Sequence, residues 1–278
     1  MEFWKLFRSN TKGMIGLIII LIEVFFACFP SLIAPHDPHK MSYLAIFLSP
    51  SKKYPLGTDE VGRDIFSLVI FGTRISLIVG FAAVGISTTV GTIIGLLSGY
   101  YKGIISKILM RITDLFLAIP RLPLILVLVA LIGQSIWNII IVIGLLLWAQ
   151  VARIVRSQTL SIRERPFIER GKAFGYSDFR IINFHILPNV LPLTFANAIL
   201  LIGSAIYYEV TVSFLGLGDP THISWGMILH YAFESPAILY GAYWYIVPPG
   251  VAIVITVLAF TLIGNALDEI FNPRLRES

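Results

Sequence analysis

One cysteine, Cys28, stands in the whole chain, so neither an internal disulfide nor a cysteine-based metal cluster can form. Charge is scarce as well. Asp, Glu, Lys and Arg make up 13% of the 278 residues, against 56% hydrophobic residues. A soluble domain cannot hide that much apolar surface, so the solvent for this chain is lipid. A phosphate-binding loop of the GxxxxGKS/T type is missing, because Gly171-Lys172 is followed by alanine. The chain therefore does not itself bind and hydrolyse ATP in that manner. There is no HExxH. His36 and His39 lack companion ligands, His222 and His230 stand apart, and no Ser/His/Asp set converges. No metal site and no catalytic constellation is expected. Acids within the apolar runs are few: Glu23, Asp114 and Glu209. Glu209 lies toward the outer end of its helix and Asp114 toward the inner end, so neither offers an evident midplane relay of the kind a proton-coupled carrier needs.

What the chain has is long apolar runs. A bilayer span needs about 20 such residues, and six candidates lie near 14–34, 75–99, 112–133, 136–155, 190–215 and 246–266. With the N-terminus inside, the cytosolic segments hold Lys5, Arg8, Lys12, Lys102, Lys107, Arg111, Arg153, Arg156, Arg163, Arg165, Arg170, Lys172, Arg180, Arg274 and Arg276. The outer segments hold Lys40, Lys52, Lys53, Arg63 and Arg74. This bias of about three to one places both termini in the cytosol. The net charge of +5 reflects that bias rather than a nucleic-acid partner. The basic residues before the first apolar run read as those of an uncleaved anchor, although residues 25–28 faintly resemble a lipoprotein cleavage box. The expectation is an all-α, multi-pass protein of the cell membrane with six transmembrane helices. Residues 1–74 form an anchor helix and outer segment. Residues 75–278 form a core of five helices with a cytosolic loop at 156–188.

Local chemistry refines this picture. Residues 1–13 suit a short helix on the inner membrane surface, and Glu23 is expected to face protein rather than acyl chains. In the outer segment Thr58 can cap an interfacial helix, with Asp59 and Glu60 in its first turn and a stripe of Ile65, Leu68 and Val69. Ser87, Gly91, Gly95 and Gly99 make a ridge of small residues, which in lipid permits close helix packing. Pro120 and Pro123 cannot donate to a helix ladder, so the third span must bend or break there. Arg121 sits at that break. A buried arginine is either functional, or else snorkels to the interface or pairs with Asp114, seven residues back. Trp225, Tyr231, Tyr240, Tyr243, Trp244 and Tyr245 suit an aromatic belt or an outer docking surface.

The most informative stretch is 163–188, RERPFIERGKAFGYSDFRIINFHILP. Pro166 suits a first helical position and Gly175 a helix end. Phe167, Gly171 and Phe174 share a face. Ser177 or Asp178 can cap a second helix carrying Phe179, Ile182 and Ile186 on one face. From the residues alone this is either a hairpin lying on lipid headgroups or an elbow that grips a cytosolic partner.

The segment resembles the EAA loop of ABC importer permeases. Glu169 stands for the motif's glutamate, and Gly175, Leu187 and Pro188 match at the right spacing. Arg170 and Gly171 replace its two alanines and His185 its isoleucine, changes that bear on partner choice more than on docking. Residues 56–64 (LGTDEVGRD), 72–77 (GTRISL), Asp114 with Ala118-Ile119-Pro120, residues 185–189 (HILPN), 213–218 (SFLGLG) and 224–226 (SWG) are similar to the dipeptide/oligopeptide permease C-subunit family, in order along nearly the whole chain. The resemblance implies a MetI-like, type I importer fold and one of two membrane subunits. Its implied partners are a B-type permease, two ATPase subunits that carry ATP and Mg, and an extracytoplasmic binding protein. Phe167, Glu169, Arg170, Gly171, Ala173, Gly175, Leu187 and Pro188 are the expected ATPase-coupling residues. Asp114, Pro120, Arg121 and Glu209 are weaker candidates for the translocation pathway. Peptides are the first choice of substrate. Oligosaccharides moved by the same machinery, or a secondary carrier with no ATPase, are the alternatives.

Overall fold

The computed structural model describes residues 2–271; Arg274 and Arg276, counted above in the charge bias, lie outside them. Twelve α-helices occur among the described residues: α1 (Glu2–Ser9), α2 (Thr11–Cys28), α3 (Pro30–Ile33), α4 (Ile65–Tyr100), α5 (Ile104–Ala118), α6 (Arg121–Ile132), α7 (Ile136–Arg163), α8 (Pro166–Ala173), α9 (Asp178–Arg180), α10 (Leu187–Val212), α11 (Trp225–Glu234) and α12 (Val247–Phe271). Short π turns fill 181–186 and 213–217. No strand occurs among the described residues. Five helices are long and apolar enough to cross a membrane. The pair α5 and α6, bent by 90° at its break, makes a sixth if counted as one span.

α4 is the spine, packing most extensively on α7 and also on α10 and α2. The small-residue ridge explains the closest contact. A Cβ on Gly91 would meet Val151 Cβ at 2.5 Å, on Gly95 Val155 Cβ at 2.5 Å, and on Gly99 Thr159 Cβ at 2.6 Å. The ridge therefore serves packing within this chain, with Gly144 of α7 returning the fit against Ala83 and Ile86.

Two expectations for the outer segment are corrected. The interfacial helix and the second span are one continuous helix of 36 residues, so residues 74 and 75 lie inside α4 with no break between them. The cap is Asp64, whose carboxylate accepts from the Ser67 N–H at 3.0 Å and the Ser67 hydroxyl at 2.6 Å. Thr58 and Asp59 instead knot the loop before it. The Thr58 hydroxyl donates to the Ala45 carbonyl. Asp59, fully buried, accepts from the N–H groups of Val61 and Arg63 and from Arg63 Nε. Burial raises the neighbouring Glu60 carboxyl above its ordinary range. Two residues of the expected aromatic belt turn fully inward. Trp225 is 1% exposed, with its indole N–H on the Val69 carbonyl at 3.0 Å, and Tyr245 is fully buried. Tyr240 and Tyr243 do remain exposed.

α1 and α2 meet at Asn10, which caps α2 through the Gly13 N–H and donates to Glu269 Oε2 at 2.8 Å. This puts the start of α2 and the end of α12 at one end of the bundle. Glu23 faces protein, as expected: it is 8% exposed and accepts from the Thr256 hydroxyl at 2.6 Å. Losing that donor leaves a buried carboxyl short of a partner, at a cost of about 1–3 kcal/mol. Thr256→Val is therefore expected to lower the melting temperature of the detergent-solubilised protein by several degrees, with Thr256→Ser close to wild type. A thermal melt followed by size-exclusion chromatography reads this directly.

Candidate functional site

The elbow is built from α8 and its exit turn. Pro166 opens α8, and Gly175 closes it at φ +77. The Gly175 N–H reaches the Lys172 carbonyl at 2.9 Å and the Tyr176 N–H the Gly171 carbonyl at 3.1 Å, the paired bonds of a Schellman end. Ile168, 1% exposed, is the residue that anchors the helix to the bundle. Gly171 is also buried and Phe167 half-buried. Glu169, Arg170, Lys172, Ala173 and Phe174 are exposed, Phe174 by 79%. The outward aromatic is thus Phe174, whereas Phe167 turns inward towards the His185 ring.

The second helix of the pair is also corrected. Ser177 caps it, but α9, the π turn and α10 run on without a break from Asp178 to Val212, and the second π turn follows to Leu217, where Gly216 leaves helical geometry at φ +81. The π turn shifts the angular register of the side chains, so Ile181, Ile182 and Ile186 are buried while Phe179 is 74% exposed. Leu187 is half-buried and Pro188 exposed in the first turn of α10.

The elbow is tied to the end of α4. Tyr100 donates to Asp178 Oδ1 at 2.5 Å, Lys172 Nζ lies 5.2 Å from the Tyr100 ring, and Arg163 donates to the Gly99 and Tyr100 carbonyls. Arg163 also pairs with Glu164, whose carboxyl is held below its usual range chiefly by that hydrogen bond. Tyr176 lies between Arg180, 4.3 Å from its ring, and the stacked His185 ring. Neither Tyr100 nor Tyr176 is legible from sequence as part of the elbow. Tyr100 lies far away along the chain, and nothing local distinguishes Tyr176 from any other loop aromatic. A polar cleft of about 690 Å³ lined by Gln158, Arg165, Asn189 and Phe271 adjoins the elbow, placing it at the same end as the meeting of α2 and α12.

The other candidates divide. Pro120 stands at the break and Arg121 opens α6. Arg121 donates to Gln150 of α7 at 3.0 Å, and Asp114 pairs instead with Arg153 at 2.7 Å. Glu209 is not with them. It is 2% exposed inside the bundle and accepts from the Ser213 hydroxyl at 2.8 Å.

The described residues form a bundle of helices apolar enough to span a membrane, with a broken span and an anchored polar elbow, the architecture of a multi-span membrane protein. Residues 91–277 match the model of the family described as binding-protein-dependent transport system inner membrane component. Residues 1–50 match the N-terminal transmembrane domain of oligopeptide transport permease C. The chain belongs to this family of transport-system permeases. It is 35% identical to the dipeptide transport system permease protein DppC of Haemophilus influenzae, over 99% of this chain and 95% of that protein. Against DppC of Bacillus subtilis it is 35% identical over 99% and 86%. The probable D,D-dipeptide permease DdpC of Escherichia coli is 35% identical over 98% and 90%. Among solved structures, an inward-facing methionine ABC transporter, MetNI, matches 74% of this chain and 95% of its own at TM-score 0.56 and 20% identity, a likeness of fold.

Proposed function

We propose that this chain is the C-type permease subunit of an ATP-driven peptide importer of the cell membrane. It pairs with a B-type permease, two ATPase subunits that bind ATP and Mg, and an extracytoplasmic binding protein. Both termini and the elbow face the cytosol. The observation that carries this reading is the elbow itself. It exposes Phe174 and a charged rim, yet Ile168 and the Tyr100–Asp178 bond hold it to the bundle. Residues 178–212 run on as helical turns without a break, so a push on α8, passed through its bonded exit turn and the Tyr100–Asp178 bond, is carried across the membrane along that helix. Closure of an ATPase pair on α8 then rocks the bundle, opening the path outward, and hydrolysis resets it. The peptide assignment follows the relatives' substrates.

The test uses Phe174→Cys in a Cys28→Ser background. A membrane-impermeant maleimide is expected to label it only from the cytosolic side, and the bound ATPase subunits to protect it. Labelling from the outside would overturn the topology, and lack of protection the coupling role. ATP-dependent uptake by the reconstituted complex, tried with peptides and with oligosaccharides, decides the substrate.

A further inference from the structure

The charged face of α5, α6 and α7 is not accounted for by packing. Arg153 and Asp114 form their ion pair with side chains 59% and 52% exposed. Arg121 and Gln150 make a second polar rung beside the α5–α6 break. Arg111 is also exposed, one turn before Asp114 on the same side of α5. Counted from Ile136, Gln150 lies about 21 Å along α7, inside the ~30 Å of a hydrocarbon core, and Arg153 about 26 Å along it, at the cytosolic edge where the charge bias places it. The Arg121–Gln150 rung is deep enough that it does not face lipid, and broken backbone is tolerated there only against protein or a watery cavity. Among the described residues, nothing covers the face.

We infer that Gln150 and Arg153, with Asp114, Arg121 and Arg111, form an electropositive wall of the translocation path that takes the carboxylate of a passing substrate. This rests on the permease reading above. The face carries three guanidinium groups and one carboxylate, so its charge is unbalanced towards positive. Sealing such a face in a dry contact with a second permease would strand unpaired cations at a large desolvation cost. Water beside it removes that cost, and a carboxylate completes the pairing with charge-assisted hydrogen bonds. Arg121 is the group with the clearest vacancy for this. Its partner is a neutral amide, whereas Arg153 already holds Asp114. Neutral sugars gain nothing from the wall, whereas every peptide with a free C-terminus presents the matching group.

Two measurements on the reconstituted complex test it. In a Cys28→Ser background, Gln150→Cys is expected to react with a charged, membrane-impermeant methanethiosulfonate during turnover, and excess peptide to slow that reaction. Reaction only with a membrane-permeant reagent would mean the face looks into lipid or a dry interface, and would overturn the inference. In the second arm, uptake is compared for a peptide and its C-terminal amide, chosen so that the wild-type complex imports both. Arg121→Gln is expected to reduce uptake of the free acid about tenfold more than that of the amide, a difference of ~1.4 kcal/mol, and Arg121→Lys to restore part of it. Equal loss for both would assign Arg121 a structural role only. Wild-type uptake separates the two readings. If the wild-type complex imports nothing with ATP, the permease reading fails. If it imports and both arms are negative, only the carboxylate wall fails.

Discussion

Gly175→Val is expected to cut ATP-dependent uptake at least about tenfold while the protein stays folded and in the membrane. Gly175 sits at φ +77, a region that costs an L-residue about 1–2 kcal/mol and a β-branched one more. A Cβ there would meet nothing within 4 Å, so the penalty is purely conformational. It falls on the turn that fixes α8 against the bundle. A Val side chain is accommodated only if the turn opens, which breaks the Tyr176-to-Gly171 and Gly175-to-Lys172 bonds and lets the elbow swing free. The partner ATPase subunits are then expected to hydrolyse ATP without driving transport. Gly175→Asn is the control, because Asn tolerates the left-handed region, and it is expected to keep most of the uptake. Wild-type uptake by the Val variant would refute the lever, whatever the ATPase rate.

The other large effect lies in the spine. Gly95→Leu places a Cβ 2.5 Å from Val155 Cβ and 2.8 Å from the Ala152 carbonyl. A backbone carbonyl in the middle of a helix cannot step aside, so α4 and α7 must part. Overpacking of this kind costs about 1–3 kcal/mol, occasionally more. Lipid gives the separated helices no hydrophobic reason to reassociate. Most of the protein is expected to be lost from the monodisperse peak when detergent extracts are run on size-exclusion chromatography. Gly85→Leu, on the same helix, adds its side chain where nothing lies within 4 Å and is expected to behave like wild type. Equal behaviour of the two variants would mean that the ridge is not the contact holding α4 to α7.

The elbow shows how far the residues can be read. Pro166 and Gly175 mark its two ends because proline and glycine act through their own backbone, with no help from tertiary contacts. The exposed aromatic is harder to read. Spacing puts Phe167 and Phe174 on one face, but the bundle lies on the side of Ile168, and that side has no signature in eight residues of mixed character. The following helix departs from expectation for a different reason. A period of 3.6 predicts that Phe179 is buried with Ile182 and Ile186, and the π turn at 181–186 breaks that period. Arg121 does stand at the break, but its partner is not the expected one. Asp114 is near in sequence, whereas Gln150 and Arg153 arrive from a different helix.

Immersion in lipid, helicity throughout, the bend at Pro120 and the glycine ridge were all settled by the chain itself. Each depends on composition, on local backbone chemistry or on the periodicity of one helix. Tertiary structure alone decided which charges pair, which aromatic faces outward, and that α4 continues from the outer segment into the membrane. The charge pairing and the outward aromatic depend on the rotation of one helix about its axis relative to its neighbours. That rotation is set by close contacts between residues far apart along the chain, such as Gly95 against Val155 and Tyr100 against Asp178.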